Sequence, residues 1–296
     1  MSKHAFVFPG QGSQKVGMGK NHYDENAVFK ELADEADKIL GYSITNVMFQ
    51  GPEETLKQTK YTQPAIFLHS IALFKTLNSK PDMVAGHSLG EFSALAASGA
   101  IAFDDALLIC STRGKLMQEA GTTNPGTMAA VIGMKDEEVE EVCKEATLGM
   151  NDIVVPANYN STGQLVISGH ESAIDRAVRI LKERGCKLAK KLPVSGAFHS
   201  ALMQPALEGL RMHLEALEIK EALCPVYANF SAKPTTDPEK IRNNLLNQLL
   251  NPVLWTQTMQ NMQADGATKF TEVGPGNVLQ GLAKRTLKNI ETEGYQ

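Results

Sequence analysis

The 296-residue chain is 43% hydrophobic and 21% charged, with a formal net charge of −4. Such values fit a globular protein able to bury a core without disulfide or metal staples, and they argue against a general nucleic-acid or membrane-surface binder. Its four cysteines, Cys110, Cys143, Cys186 and Cys224, are widely spaced, with no C-x-x-C pair and no clustered histidines. Neither a zinc site nor a disulfide framework is expected, and a reducing compartment is the simpler setting.

Ala5-Phe6-Val7-Phe8 reads as a buried strand, too short for the apolar region of a signal peptide. No apolar stretch is long enough to span a bilayer, so the cytoplasm is the expected location. The strand ends in the glycine- and amide-rich loop Pro9 to Gln14. Helical spacing runs from Ala27 to Leu40 and again from Thr62 to Leu77. Met83-Val84-Ala85 is a short apolar strand, and Leu89 to Ser98 a helix stopped by Gly99. This alternation predicts an α/β domain with a largely parallel sheet.

Asp104-Asp105 open a helix running to about Ala120, on which Ala106, Ile109, Cys110, Arg113 and Met117 share one face. A cation on an apolar stripe is costly unless paired. Either an internal carboxylate satisfies Arg113 or a substrate carboxylate does, the guanidinium fork suiting both.

The rhythm then changes. Strands at Thr127–Ile132, Ile153–Ala157, Gln164–Ser168 and Lys187–Leu192 alternate with helices at Asp136–Ala146 and Glu171–Arg184, with a turn at Asn158–Gly163. The order β-α-β-β-α-β is the split pattern of ferredoxin-like units. Residues 125–195 therefore read as a small domain inserted into a larger one made of residues 1–124 and 196–296, with linker-like stretches at both edges. Beyond it, helices are expected at Ser200–Leu217 and Ile241–Leu250, and strands at Cys224–Asn229 and Lys269–Val273.

Gly86-His87-Ser88-Leu89-Gly90 lies between an apolar strand and an amphipathic helix. The G-x-S-x-G spacing in that context is the pattern of a nucleophile elbow: a sharp turn exposes the hydroxyl, flanking glycines avoid Cβ clashes, and amides at the helix start face a developing oxyanion. A plain helix-capping serine is the bland alternative. Of seven histidines, His199 in Gly196-Ala197-Phe198-His199-Ser200 is the best candidate base, a surface or capping histidine being the alternative. His87 is expected to orient the turn and His69 to be structural. No Asp or Glu stands out to complete a triad, so a neutral acceptor such as a backbone carbonyl is left to orient the imidazole.

Together these residues resemble the malonyl-CoA:acyl carrier protein transacylases. The marks are Phe8-Pro9-Gly10-Gln11-Gly12-Ser13-Gln14, Gly86-His87-Ser88-Leu89-Gly90-Glu91, Arg113, Gly196 to Ser200, Asn247-Gln248-Leu249, Asn251-Pro252-Val253-x-Trp255 and Glu272-Val273-Gly274-Pro275-Gly276. The resemblance implies a hydrolase-like large domain with a ferredoxin-like small one. By position it makes Ser88 the nucleophile, His199 its base and Gln248 the residue whose carbonyl orients that base. The amides of Gln11 and Leu89 become the oxyanion hole, and Arg113 the group that binds the malonyl carboxylate. Phe198 resembles a malonyl-selective pattern, and Asn158 and Asn160 resemble positions near the substrate. No cofactor or metal is implied beyond malonyl-CoA as substrate. The implied partner is an acyl carrier protein, docked on basic residues such as Lys187, Lys190, Lys191, Lys284, Arg285 and Lys288, and a monomer is expected. Rival readings are a free-standing acyltransferase of a polyketide synthase, a serine thioester hydrolase and a non-catalytic carrier-binding module.

Overall fold

The computed structural model describes residues 2–296. Along them run the strands β1 (Lys3–Phe8), β2 (Met83–Gly86), β3 (Thr127–Ile132), β4 (Val154–Ser161), β5 (Gln164–Gly169), β6 (Leu188–Lys191), β7 (Val226–Tyr227), β8 (Pro234–Thr235), β9 (Ala267–Val273) and β10 (Glu291–Tyr295). Six of them form one sheet in the order β10-β9-β1-β2-β7-β8, in which every pair except β7–β8 is parallel.

β1 lies inside this sheet, paired with β9 on one side and β2 on the other, and its alternating side chains are buried on both faces. Phe6 and Phe8 point to one face, into a core with Ile66, Phe67 and Phe92; Ala5 and Val7 point to the other, with Trp255, Met259 and Leu279. Each fully buried phenylalanine contributes about 1.5–3 kcal/mol. The chain order reverses at β1, which is where α/β sheets open a crevice beyond the carboxyl ends of their strands.

The second sheet has the order β4-β5-β3-β6 and is antiparallel throughout. Helices Asp136–Ala146 and Glu171–Glu183 cover one face, where Val139, Val142, Ile174 and Ala177 meet Ala129, Val131, Leu165 and Ile167. From the opposite face Met128, Asn158 and Val166 look into the main cavity.

Several expected bounds shift for identifiable reasons. The turn expected at Asn158–Gly163 is strand as far as Ser161, so Asn158 and Asn160 lie on β4. Here Val253 bridges to Asn158 and accepts from the Tyr159 N–H, and this pairing overrides the turn preference of the asparagines. The helix expected from Ser200 begins as a short 3-10 turn, Ala201–Met203, before Gln204–Ala216, because Pro205 suits only a first turn. The expected strand Cys224–Asn229 shrinks to Val226–Tyr227. Helices at Lys20–Glu25, Ile44–Gln50, Trp255–Ala264 and Val278–Thr286 and the edge strand β10 were not anticipated.

Candidate active site

Ser88 sits just past the carboxyl end of β2 with φ 52, a left-handed conformation that is strained for a residue bearing a Cβ. The surrounding glycines explain how the chain tolerates it. A Cβ on Gly86 would lie 1.8 Å from the Gly90 carbonyl oxygen, and one on Gly90 would lie 2.1 Å from that of Phe8. The elbow thus crosses directly over the end of β1, to which His87 N–H is bonded through Phe8 O at 3.0 Å. Asn229 clasps both sides of the turn, its Oδ1 accepting from Ser88 N–H and its Nδ2 donating to Gly86 O, each at 2.6 Å.

His199 also has a positive φ, 57, and is buried. Its Nε2 lies 2.8 Å from Ser88 Oγ and its Nδ1 3.1 Å from the Gln248 carbonyl oxygen. A carbonyl can only accept, so Nδ1 carries the proton and the Nε2 lone pair faces the hydroxyl. Burial, then the nearby Arg113 cation, pushes the imidazole down to about 3, which keeps it neutral. The pair can therefore move the serine proton to an imidazole with no carboxylate behind it.

Arg113, on the helix Phe103–Thr123, is 1% exposed and shares its buried face with Ala106, Ile109, Cys110 and Met117, as its spacing predicts. Its Nη1 donates to Gln63 Oε1 at 2.8 Å, and its Nη2 to Gln248 Oε1 at 3.0 Å and to Ser88 Oγ at 3.1 Å. All three acceptors are neutral. Burial lowers its pKa to about 10, so the guanidinium remains charged at neutral pH. Gly114 permits the approach of the helix carrying Gln63: a Cβ there would meet the Thr59 carbonyl oxygen at 2.6 Å.

A cavity of about 300 Å³ opens over Ser88. Gln11 and Leu89 line one side, Phe198 with Met117, Met128 and Val194 an apolar wall, and Asn158 and Asn160 the β4 side. The amides of His87, Ser88 and Gly90 are bonded to Phe8 O, Asn229 Oδ1 and His87 O, so among the described residues Leu89 N–H is the amide of this turn left without a partner. The Gln11 side chain is tied to Thr59 Oγ1 at 3.3 Å, fixing its loop. Asn160 Oδ1 takes the His87 Nε2–H at 2.8 Å, so His87 joins the elbow to β4, in keeping with an orienting role. His69 is buried on its helix, as expected of a structural histidine.

Three polar neighbours went unassigned in the sequence: Gln63, Glu91 and Asn229. Glu91 is 2% exposed, and its Oε2 accepts from Gln248 Nε2 at 2.8 Å and from Asn229 N–H at 3.1 Å. Burial raises its pKa to about 7 against the opposing pull of these bonds and of Arg113. Glu91 stands in the first turn of the helix after the serine, within the Gly86–Glu91 run; Asn229 and Gln63 carry no pattern that singles them out. Among the described residues no group of three or more His, Cys, Asp or Glu could hold a metal ion, and no helix is long and apolar enough to cross a membrane.

The sequence matches the acyl transferase domain family over residues 5–295. It is 44% identical over 295 residues to the malonyl CoA-acyl carrier protein transacylase of Bacillus subtilis, covering 99% of this chain and 93% of that protein. The solved structure of the Coxiella burnetii malonyl CoA-acyl carrier protein transacylase superposes with a TM-score of 0.95 at 40% identity, over 99% of this chain and 93% of that one. A malonyl-transacylase in complex with its type II PKS acyl-carrier protein gives a TM-score of 0.95 at 41% identity, over 99% and 96% of the two chains. With a mainly parallel α/β fold shared over nearly its whole length, the chain belongs to the acyl transferase family, among the malonyl CoA-acyl carrier protein transacylases.

Proposed function

We propose that this enzyme transfers a malonyl group from malonyl-CoA to the phosphopantetheine thiol of an acyl carrier protein through a malonyl ester on Ser88. The supporting observation is Arg113: a fully buried cation, bonded only to neutral acceptors, whose Nη2 reaches the same hydroxyl that His199 addresses. A buried charge of this kind gains most from an anion brought by the substrate.

In the first half-reaction His199 Nε2 takes the Ser88 proton as Oγ attacks the thioester carbonyl, and the oxyanion is held by the amides of Gln11 and Leu89. Coenzyme A leaves as the thiol with the proton from His199. In the second, the carrier thiol gives its proton to His199 and attacks the ester, and collapse returns the proton to Ser88. Gln248 O holds the imidazole in the tautomer both halves need, and Arg113 grips the malonyl carboxylate throughout, fixing the carbonyl over Oγ. Each proton and charge change is met by a group of this chain, with no step assigned to a metal or redox cofactor.

Phe198, buried against the cavity, would crowd an α-methyl branch, a discrimination of about 1–3 kcal/mol. Asn158 and Asn160 would bound the acyl group from β4. Residues 125–195, carrying the second sheet, would act as an inserted ferredoxin-like domain forming the far wall of the cleft. Among the basic residues that could dock a carrier, Lys191 is held by Glu171 and Asp175, whereas Arg285 donates to Gln164 on the cavity rim. A cytoplasmic monomer fits this role.

Initial velocities with malonyl-CoA and a holo acyl carrier protein as varied substrates test the reading. Parallel double-reciprocal lines are expected, and converging lines would refute a covalent intermediate. The solved transacylase bound to a type II PKS carrier supports a polyketide carrier as an alternative acceptor; comparing fatty acid and polyketide carriers in the same assay separates the two.

A further inference from the structure

Behind Ser88 lies a buried carboxylate that the proposed chemistry does not use. Glu91 Oε2 receives two hydrogen bonds on a single oxygen, one from the Gln248 side-chain amide and one from the Asn229 backbone. Each donor leads to a different part of the site.

The Asn229 branch ends at the serine. Its side chain bonds Ser88 N–H on one side of the turn and Gly86 O on the other. A left-handed serine persists only where its surroundings over-determine it, and this clasp does so. The Gln248 branch ends at the arginine. Gln248 Nε2 faces two acceptors, Glu91 Oε2 and Ser88 O at 2.9 Å, while its Oε1 faces Arg113 Nη2. Flipping the amide would set NH2 against a guanidinium and a carbonyl against a carboxylate. Glu91 therefore fixes which end of Gln248 the arginine meets.

We propose that Glu91 is a positioning residue: through the Gln248 amide it holds Arg113 in the orientation that selects a carboxylate-bearing acyl group, and through Asn229 it steadies Ser88. This rests on the malonyl-transfer reading. Glu91 touches neither the reacting atoms nor His199. Its effect is exerted by geometry, since a carboxamide oxygen at the same place accepts both bonds.

The test measures the rate at which Ser88 is acylated by malonyl-CoA and by acetyl-CoA, using intact mass on the full chain. Glu91→Ala is expected to lower the malonyl-to-acetyl rate ratio by about tenfold, because Arg113 loses a fixed partner. Glu91→Gln should keep the ratio of the unsubstituted enzyme. Asn229→Ala, which unclips only the serine, should slow both donors by the same factor and leave the ratio unchanged. Glu91→Asp, which retracts the oxygen by one methylene, is the milder variant should Glu91→Ala not fold, and it should shift the ratio in the same direction. An unchanged ratio in both Glu91→Ala and Glu91→Asp would overturn the proposal, as would a loss of selectivity in Glu91→Gln as large as in Glu91→Ala. Failure of the unsubstituted enzyme to acylate at all would instead strike the malonyl-transfer reading.

Discussion

Arg113 and His199 meet at one atom: Ser88 Oγ gives its proton toward His199 Nε2 at 2.8 Å and accepts from Arg113 Nη2 at 3.1 Å. The cation is thus placed beside any acyl group that the hydroxyl would receive under the proposed mechanism. Substituting Arg113→Ala removes a charge-assisted contact of about 1.5–3 kcal/mol, roughly 10- to 150-fold in rate for malonyl-CoA. Acetyl-CoA, lacking the free carboxylate, should lose much less. Steady-state kcat/KM for the two donors checks this, and an equal loss on both would show that Arg113 is structural only.

The neutrality of His199 has a pH signature. A general base acts in its neutral form, which persists at pH values above its pKa. Burial and Arg113 hold that pKa at about 3 in place of the ordinary 6.5. Modification of Ser88 by an uncharged fluorophosphonate should therefore show no acid limb with a midpoint near 6.5, and the second-order rate should stay level down to about pH 5. A sigmoidal loss centred at 6.5 would mean that the imidazole is not held neutral.

His69 makes a separate prediction about stability. It is 1% exposed on the helix Thr59–Thr76, and burial, assisted by His22 and Lys15, lowers its pKa to about 3. Below pH 6.5 the unfolded chain takes up a proton that the folded one refuses, so stability falls as pH drops from 6.5 toward 3. The slope is up to about 1.4 kcal/mol per pH unit for this one group. Glu91, raised to about 7 from 4.5, works in the opposite sense between those values, favouring the fold as pH drops through 7. Urea titrations between pH 6.5 and 5 should show a flatter dependence for His69→Leu than for the unsubstituted protein; identical slopes would contradict the assignment.

The glycines of the elbow should respond very differently from others. Gly86→Ala places a methyl 1.8 Å from the Gly90 carbonyl oxygen, a backbone clash that no rotamer relieves. A loss of about 3 kcal/mol or more is expected. Gly281, inside the helix Val278–Thr286 with nothing within 4 Å of an added Cβ, should instead gain about 0.5–1 kcal/mol on substitution by alanine. Thermal unfolding of both variants tests the contrast.

Much of this arrangement was legible in the sequence because it rests on local patterns. The strand-turn-helix around Ser88, the helical stripe carrying Arg113 and the two helices covering the second sheet follow from periodicity and glycine placement. Polar elements escaped notice. β10, Glu-Thr-Glu-Gly-Tyr, is an edge strand whose order comes from pairing with β9, and the helix Trp255–Ala264 carries few apolar residues on its exposed side. Asn229 and Gln63 were silent for a different reason. Their significance lies in contacts across 141 and 50 residues of chain, which no window of sequence contains.

In the proposed mechanism Ser88 carries the malonyl group. Intact-mass analysis after brief mixing with malonyl-CoA tests it most directly. One malonyl adduct per chain is expected, located on the peptide containing Ser88, absent in Ser88→Ala and discharged on addition of a holo acyl carrier protein. An adduct that survives in Ser88→Ala, or malonyl transfer to the carrier by that variant at the unsubstituted rate, would rule out Ser88 as the acyl carrier.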